Sequence, residues 1–306
     1  MSWQDVLSQL DYEPALTPLD DLLQNRPSSL LYPLAQFSCL AIEGPERFSF
    51  LQGQVTCDMK RVEEGEPLLG AHLNLQGRIE AGFILFPAED RILMLIPTEQ
   101  VPHLKPLLQK YLLFAKAELS EADDILAYLD WPASPAGNAA GFELAQSNNL
   151  FVRLVPVADT ESLLKKAQVA RQEEALAVLH RNGLFLVDEP HRGAFLPQEL
   201  NYDQMDGISF NKGCYKGQEV VARIHFKGQV KQRLTAFHCA SPCEAGSAVL
   251  NAEGKKCGEI LHQSPIAHGS IGCALIKTAD WESKRLFLEQ NDGPELQLLP
   301  PPYAIT

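Results

Sequence analysis

The residue types best suited to chemistry cluster in residues 206–233, which read DGISFNKGCYKGQEVVARIHFKGQVKQR. From Phe210 onward this segment carries six basic residues and one acidic residue, a net charge of +5. The whole chain has a formal charge of -13, which leaves -18 on the remainder. Gly207, Gly213 and Gly217 lie among these charges, and glycine lets a backbone turn tightly or approach a ligand closely. The pattern predicts a site that offers amides and cations to an anion; the alternative is a solvated loop with ordinary turn glycines.

One thiol lies inside this segment. Cys214 is flanked by Gly213 and Tyr215, with Lys212 and Lys216 two positions away on either side. Nearby cations stabilise a thiolate, so Cys214 is a candidate reactive thiol. The alternative is a buried structural cysteine, which is the usual environment of a free cysteine.

No metal site is predicted from the remaining cysteines and histidines. The four C-terminal cysteines form a CxxxC pair followed by intervals of 14 and 16 residues, at Cys239, Cys243, Cys257 and Cys273. Structural zinc sites use tighter paired spacings, so four unrelated thiols are the better interpretation. The eight histidines form no HExxH pattern, and nucleotide-binding glycine motifs are absent.

Composition limits the class of protein. A chain of 306 residues with 45% apolar residues predicts two or three globular domains. The charge of -13 argues against a wholly basic nucleic-acid binder. Seven cysteines, an odd number, do not suggest a disulfide scaffold, and the first residues do not resemble a signal peptide. The most apolar stretch, residues 82–96, is interrupted by Pro87 and charged residues, so it cannot span a membrane. These features predict a cytoplasmic protein.

The elements that must position the segment form three groups. Residues 1–114 predict an N-terminal arm with a short helix, then strands at 36–43, 68–75, 78–86 and 91–96 and a helix at 98–113. Residues 115–229 predict a second α+β round that contains a long helix over 160–181, with Thr160 as its cap, and ends in the charged segment. Residues 230–306 predict a small β-barrel of short strands. The fold class is therefore α+β, with two ferredoxin-like α+β domains and a C-terminal barrel. The first two domains either follow one another along the chain or are intertwined.

The segment resembles the K-G-C-Y-x-G-Q-E signature of the YgfZ family, folate-binding proteins related to the glycine-cleavage aminomethyltransferases. The match is contiguous from Lys212 to Glu219 apart from the variable position. Residues 50–58 (FLQGQVTCD) are similar to the family's L-Q-G-Q-x-T-x-D stretch, and residues 195–201 (FLPQELN) to its F-I-P-Q-x-x-N stretch. Residues 73–78 and 111–116 also resemble family positions, so the resemblance extends over most of the chain.

The resemblance implies a ring of three domains with tetrahydrofolate, or another folate derivative, in a central opening. Such a ligand needs a flat apolar slot and cations for its glutamate tail. Lys212, Arg223 and Lys227 are suited to the tail, and Arg223 is preferred because a guanidinium binds a carboxylate through two hydrogen bonds. Tyr215 and Phe226 are suited to the flat ring.

The same resemblance implies a folate-dependent accessory protein that is non-catalytic or weakly catalytic, with Cys214 as its functional thiol. Its partners would be iron–sulfur enzymes, including those that thiomethylate tRNA, whereas the charge of -18 outside the segment disfavours direct tRNA binding. The alternative is a folate-dependent aminomethyl- or methyltransferase. Cys214 argues against that alternative, because the transferases lack it.

Two departures from the transferase pattern bear on the site. Arg181 stands where the transferases carry an acidic residue in an E-A-G step, so Asp188 or Glu189 would have to supply a pterin-anchoring carboxylate. Glu80 parallels the acid of a G-x-I-D stretch. It either retains a carboxylate at the site or is an ordinary exposed strand residue, and the exposed interpretation is favoured.

Overall fold

The computed structural model describes residues 2–8, 30–131, 141–144, 150–266, 268–281, 285–290 and 293–305. The strands, in chain order, are β1 (Leu30–Pro33), β2 (Phe37–Glu43), β3 (Leu68–Leu73), β4 (Ile79–Pro87), β5 (Arg91–Pro97), β6 (Glu118–Glu121), β7 (Ile125–Trp131), β8 (Gly141–Glu143), β9 (Phe151–Pro156), β10 (Gln168–Val169), β11 (Gln232–Cys239), β12 (Ala248–Asn251), β13 (Lys256–Ile266), β14 (Gly269–Lys277), β15 (Leu286–Leu288) and β16 (Glu295–Leu299).

The α-helices are α1 (Trp3–Leu7), α2 (Arg47–Gln52), α3 (Met59–Glu63), α4 (Val101–Leu112), α5 (Thr160–Leu164), α6 (Gln172–Arg181) and α7 (Gln218–Lys227). Short 3₁₀ turns lie at Thr98–Gln100, Val157–Asp159, Tyr202–Gln204 and Thr278–Asp280.

The first sheet has the strand order β3-β4-β5-β2-β6 and is antiparallel throughout. Its central strands are buried on both faces, which is why they read as unbroken apolar runs. Ile92, Met94 and Ile96 pack in one core with residues of α2, α3 and α4. Leu93 and Leu95 point the other way, into a core shared with the second sheet and the barrel. The sheet therefore lies between its own helices and the rest of the molecule.

The second sheet has the order β10-β1-β7-β9-β8. β1 lies between β7, with which it runs antiparallel, and β10, with which it runs parallel. α6 covers this sheet and the barrel together, because Ala175, Val178 and Leu179 belong to the same core as Leu129 of β7 and Leu261 of β13. One apolar core thus joins all three parts of the molecule.

The third part is a closed barrel with the order β11-β14-β13-β12-β15-β16, in which β16 pairs with β11. Phe237, Val249, Ile260 and Ile276 fill its interior. Cys239, Cys243 and Cys257 are buried in the same interior, and Cys273 is buried in the shared core. Within the described residues, no group of three or more histidine, cysteine or acidic side chains could hold a metal ion.

The predicted long helix over residues 160–181 is wrong. The structure has α5, then the short strand β10, then α6, because Gln168 and Val169 pair with Leu30 and Leu31 of β1. This pairing joins residues more than a hundred positions apart, so no local periodicity could reveal it. Thr160 is not a cap either: it is the first residue of α5, and its hydroxyl donates to the carbonyl of Val157 at 2.7 Å.

Strand pairing crosses the predicted boundary between the first two domains. Leu30–Pro33 lies in the second sheet, and Glu118–Glu121 lies in the first. The boundaries at 114/115 and 229/230 stay predictions, and these pairings describe the intertwining that they left open. No helix in the described part of the chain is both long and apolar enough to cross a membrane.

Candidate functional site

The charged segment consists of an irregular loop over residues 206–217 followed by α7. The helix begins after Gly217, whose φ of +79° is a left-handed conformation that suits glycine. A Cβ on Gly217 would lie 2.5 Å from the carbonyl oxygen of Asn74 and 2.9 Å from Cβ of Leu73. A Cβ on Gly77 would lie 2.9 Å from Cβ of Val220. The two glycines therefore let the β3–β4 turn pack directly against the start of α7.

Lys212 and Thr56 fasten the loop to the first α+β unit. The Lys212 ammonium donates to the carbonyls of Val55 and Cys57, at 2.8 and 2.6 Å. The Thr56 hydroxyl donates to the carbonyl of Gly207 at 2.6 Å and accepts from the amide of Ala71 at 2.9 Å. Burial lowers the pKa of Lys212 to about 8. These bonds bring the two family-like stretches of the sequence, residues 50–58 and 206–219, into one cluster.

Tyr215 lies beneath the loop and Cys214 lies on its surface. The Tyr215 side chain is buried, and the Lys212 ammonium lies 5.1 Å from the centre of its ring. Burial raises the pKa of Tyr215 to about 12. Cys214 is exposed, whereas the other six cysteines are buried. A loop held by the residues on both sides of Cys214 therefore presents one thiol to solvent.

A polar cluster lies on the inner side of the same loop. The Lys216 ammonium is 3.3 Å from Nε2 of His72, and the His72 ring donates through Nδ1 to the carbonyl of Gln54 at 3.0 Å. Burial, followed by the charge of Lys216, lowers the pKa of His72 to about 4. His72 is therefore neutral at physiological pH and accepts a hydrogen bond from the ammonium.

Glu80 belongs to this inner side too. Its carboxylate pairs with Nε2 of His103, on α4, at 2.8 Å, and the two side chains are 19% and 26% exposed. The interpretation of Glu80 as an ordinary exposed strand residue is wrong, because α4 and the chain at Gly193 cover it. A Cβ on Gly193 would lie 3.8 Å from Oε1 of Glu80.

Arg181, the residue compared above with an acidic residue of the transferases, makes a structural contact. The Arg181 guanidinium donates to the carbonyl of Pro300 at 3.1 Å, and burial lowers its pKa. Asp188 is in close contact with Nδ1 of His191. Nearby, the rings of His180 and His262 meet edge to face at 4.7 Å, and neither Nδ1 has a hydrogen-bond partner among the described residues. Burial lowers the pKa of both imidazoles.

The far end of α7 is open and basic. Arg223, Lys227 and Lys231 are exposed and form no ion pair with another described residue. Arg233 is different, because its guanidinium binds both oxygens of Asp203 at 2.9 Å, with side chains only 5% and 10% exposed.

An aromatic group lies beside these exposed cations. Phe210 and His225 stack in parallel, with ring centres 3.7 Å apart and an interplanar angle of 12°. Phe226, 67% exposed, packs edge-on against both rings. Phe210 and His225 line a cavity of about 750 Å³ between α7, the chain after residue 197, and the barrel turn at Trp281.

Comparison with known proteins agrees with the signature. No family model matches the chain. The curated tRNA-modifying protein YgfZ of Klebsiella pneumoniae (strain 342) is 27% identical over 308 residues, covering 90% of this chain and 93% of that protein. This similarity extends over nearly the full length of both proteins and supports the resemblance to the YgfZ family. Among solved structures, the glycine cleavage system aminomethyltransferase T of Bartonella henselae superposes with a TM-score of 0.71 at 13% identity, over 96% of this chain and 94% of that chain. The predicted aminomethyltransferase-like fold is confirmed.

The YgfZ-family signature thus divides the predicted site residues into two groups. Lys212 and Tyr215 hold the loop, and Cys214 is exposed between them. Arg223, Phe226 and Lys227 are exposed on the second half of α7, whereas the described residues of this helix that line the cavity are Ile224 and His225. A helix rises about 1.5 Å per residue, so Arg223 and Lys227 lie about 7.5 and 13.5 Å along α7 from its first residue, Gln218. Their contacts with folate stay predictions.

Sequence reasoning missed several polar residues near the YgfZ-family signature. His72 is one histidine within an apolar strand, and nothing in its local sequence points to Lys216. The local sequence of His103 does not point to Glu80 either. Its position on α4, which follows a strand of the first sheet, is the signal that could have suggested contact with that sheet. The sequence gave only a weak indication of the Phe210–His225 stack, namely that both ring-bearing residues lie in the basic segment.

Proposed function

We propose that this protein is a folate-binding accessory protein that supports iron–sulfur enzymes and, through them, the modification of tRNA. The observation that carries the proposal is the signature loop, which buries its anchors and leaves Cys214 exposed. The tRNA-modifying protein to which the chain is similar supports the link to tRNA. Cys214 is the functional thiol in this proposal, because a partner can reach it without unfolding the loop.

The open half of α7 supports folate binding. A folate tail carries carboxylates, and Arg223 and Lys227 are cations with no ion-pair partner among the described residues. Phe226 adds exposed flat surface beside them. Bound tetrahydrofolate would supply a carrier for one-carbon units. Arg223 would grip a tail carboxylate through two hydrogen bonds, and Lys227 would add charge without fixed geometry.

Calorimetry tests the folate contact. Tetrahydrofolate titrated into the purified chain is expected to bind, and Arg223→Ala is expected to weaken binding about tenfold, the loss of a charge-assisted pair. Lys110→Ala removes an exposed cation from α4 and is the matched control, with unchanged affinity. Absence of heat at high micromolar folate would rule out the folate part of the proposal.

Nucleoside analysis tests the role of the thiol. Mass spectrometry of tRNA from cells that lack the protein is expected to show a loss of thiomethylated adenosine, restored by the native chain. Cys214→Ala is expected to fail to restore it, although the protein accumulates to normal levels. Cys273→Ala, which removes a buried thiol, is the control. Full rescue by Cys214→Ala would exclude a role for the thiol.

A second candidate function, a folate-dependent aminomethyl- or methyltransferase, is favoured by the pair of Glu80 and His103. A carboxylate that is largely buried and paired with an imidazole is the type of group that handles a proton during catalysis. Turnover of an aminomethyl donor with tetrahydrofolate, abolished by Glu80→Gln, would establish this function. No turnover with the native chain would leave the accessory role as the better account.

A further inference from the structure

One family-like stretch of the sequence has no part in the site described above. Residues 111–116 (YLLFAK) run from the last turn of α4 into the chain that follows, and within the described residues none of the contacts that hold the signature loop involves them. Three of the five large apolar side chains that are exposed in the described structure lie here: Tyr111, Leu113 and Phe114 are 45%, 83% and 87% exposed. Single apolar residues are normal on a surface, whereas a contiguous group of them is typical of an interaction site.

The fold directs these side chains outward. After α4 ends at Leu112, the amide of Phe114 donates to the carbonyl of Tyr111 at 3.2 Å, and the amide of Ala115 donates to the carbonyl of Leu112 at 3.0 Å. Leu112 and Ala115 pack against the core between the first sheet and its helices. Because these two residues turn inward, Leu113 and Phe114 between them point into solvent. A fixed turn therefore presents the exposed pair, which reduces the entropic cost of binding.

The charges around the exposed pair are positive. Lys110 and Lys116 lie on either side of it, are exposed and form no ion pair with another described residue. Residues 101–117 contain no acidic residue, and the first one beyond them, Glu118, begins β6. The carboxylate of Glu46 contacts the stretch, but it accepts the main-chain amide of Lys116 at 3.0 Å. We infer that residues 110–116, the α4 tip, dock into an apolar pocket bordered by carboxylates on a partner protein.

Charge distinguishes a protein pocket from the other surfaces that could cover the α4 tip. An anionic membrane attracts clusters of about four to eight basic residues, whereas the tip has two and the whole chain carries -13. A second copy docked about a two-fold axis would set the lysines of one tip against those of the other. A pocket that carries carboxylates pairs with both lysines while it buries Leu113 and Phe114.

The partner is the iron–sulfur enzyme of the proposed function, and in this respect the inference rests on that function. The α4 tip and Cys214 are then two separate contacts with one partner. The tip holds the enzyme through apolar burial and charge, and the exposed thiol meets it at the signature loop. Docking at one contact raises the effective concentration of the other, so a weak encounter at Cys214 is sufficient.

Calorimetry with a purified iron–sulfur enzyme that thiomethylates tRNA tests the docking contact on the full chain. The native chain is expected to bind, and Phe114→Ser is expected to weaken binding at least about tenfold, because an aromatic anchor at the centre of an interface is lost. Phe114→Leu keeps an apolar side chain and is expected to keep most of the affinity. Because Phe114 is exposed, both variants are expected to unfold at the urea midpoint of the native chain.

A second pair of variants tests the charges. Combined Lys110→Glu and Lys116→Glu is expected to weaken binding and to remove much of its dependence on salt, because the cations no longer face carboxylates. Lys255→Glu reverses an exposed lysine in the turn between β12 and β13 and is the matched control, with unchanged affinity.

The outcomes separate this inference from the proposed function. Equal binding by the native chain and Phe114→Ser overturns the inference and leaves the proposed function intact. Absence of binding by the native chain also overturns it, whereas the proposed function falls only if thiomethylation of tRNA in cells does not require the protein. Phe114-dependent sedimentation with vesicles of phosphatidylglycerol and phosphatidylcholine would assign the α4 tip to a membrane and overturn the inference. A Phe114-dependent dimer in analytical ultracentrifugation would assign it to a second copy, with the same consequence.

Discussion

The loop at residues 206–217 uses its cations for internal contacts, whereas α7 and the linker to residue 231 leave theirs in solvent. In the loop, Lys212 binds two main-chain carbonyls and Lys216 lies against His72. On the helix, Arg223 and Lys227 are exposed. The difference has a physical cause, because irregular backbone needs donors for its buried carbonyls, whereas a helix pairs its own. Charge in one sequence motif can thus serve structure at one end and recognition at the other.

The largest effect is expected from Arg233→Met. It leaves the Asp203 carboxylate buried without its guanidinium, which is expected to lower the free energy of unfolding by about 3–5 kcal/mol. Arg223→Met removes the same side chain from the exposed helix and is expected to change stability by less than about 0.5 kcal/mol. Urea unfolding of both variants measures the difference. Equal losses would mean that the two arginines are not used differently.

The next effect is the dependence of stability on pH. The pKa of His72 is lowered to about 4, so its contribution is complete above about pH 6.5 and is lost as pH falls from 6.5 towards 4. The unfolded chain binds a proton there that the folded chain does not, which costs up to about 3 kcal/mol. His180 and His262 act in the same direction. In His72→Gln the slope of unfolding free energy against pH should fall over this range. His225→Gln, on the open half, is the matched control, and an unchanged slope in His72→Gln would contradict the prediction.

A smaller loss is expected from Lys212→Met. This variant deprives two carbonyls of a charged donor and is expected to cost about 2 kcal/mol. Lys227→Met, on the open half, is expected to lie within about 0.5 kcal/mol of the native chain. Thermal unfolding followed by circular dichroism compares the pair. A native-like midpoint for Lys212→Met would show that the loop is held by other contacts.

The smallest effect on stability is expected from Cys214→Ala, because the side chain is exposed. By contrast, Cys214→Ala is expected to have a large effect on the number of thiols that react with a reagent in the folded protein. In the native chain one thiol is expected to react rapidly with a thiol reagent such as Ellman's reagent, and in Cys214→Ala none. Denaturant should release all seven thiols of the native chain. Rapid reaction of a second thiol would contradict the burial of the other six.

Much of the fold and the centre of the site follow from local sequence. Apolar runs with turn residues predicted the strands of the first sheet and the barrel, and Gly217 was predicted to lie where the backbone turns tightly, which agrees with its left-handed conformation. The packing of Gly217 against the turn at Gly77 was not predicted. The net charge of the segment followed from the sequence, but the sequence could not show which of its cations make internal contacts and which are exposed. Whether a lysine faces a carbonyl or water depends on residues 55–57, more than a hundred positions away.

The errors have the same physical origin. The helix expected over residues 160–181 is interrupted because Gln168 and Val169 find a strand partner near residue 30. Glu80 alternates as an exposed strand residue would, yet His103 on α4 pairs with it. In both cases a partner distant in sequence outweighed the local preference.

The position of β1 in the second sheet has a consequence for the order in which the chain can fold as it is synthesised. The first sheet is complete once residue 121 has been made, since all its strands lie between residues 37 and 121. β1 precedes that stretch but has no sheet partner until residues 125–131 are made, and its second partner ends at residue 169. Pairings of such long sequence separation form slowly. The first strand of the described residues therefore has unpaired edges while the strands of the first sheet pair with one another, and the nascent chain is most open to mispairing during this interval.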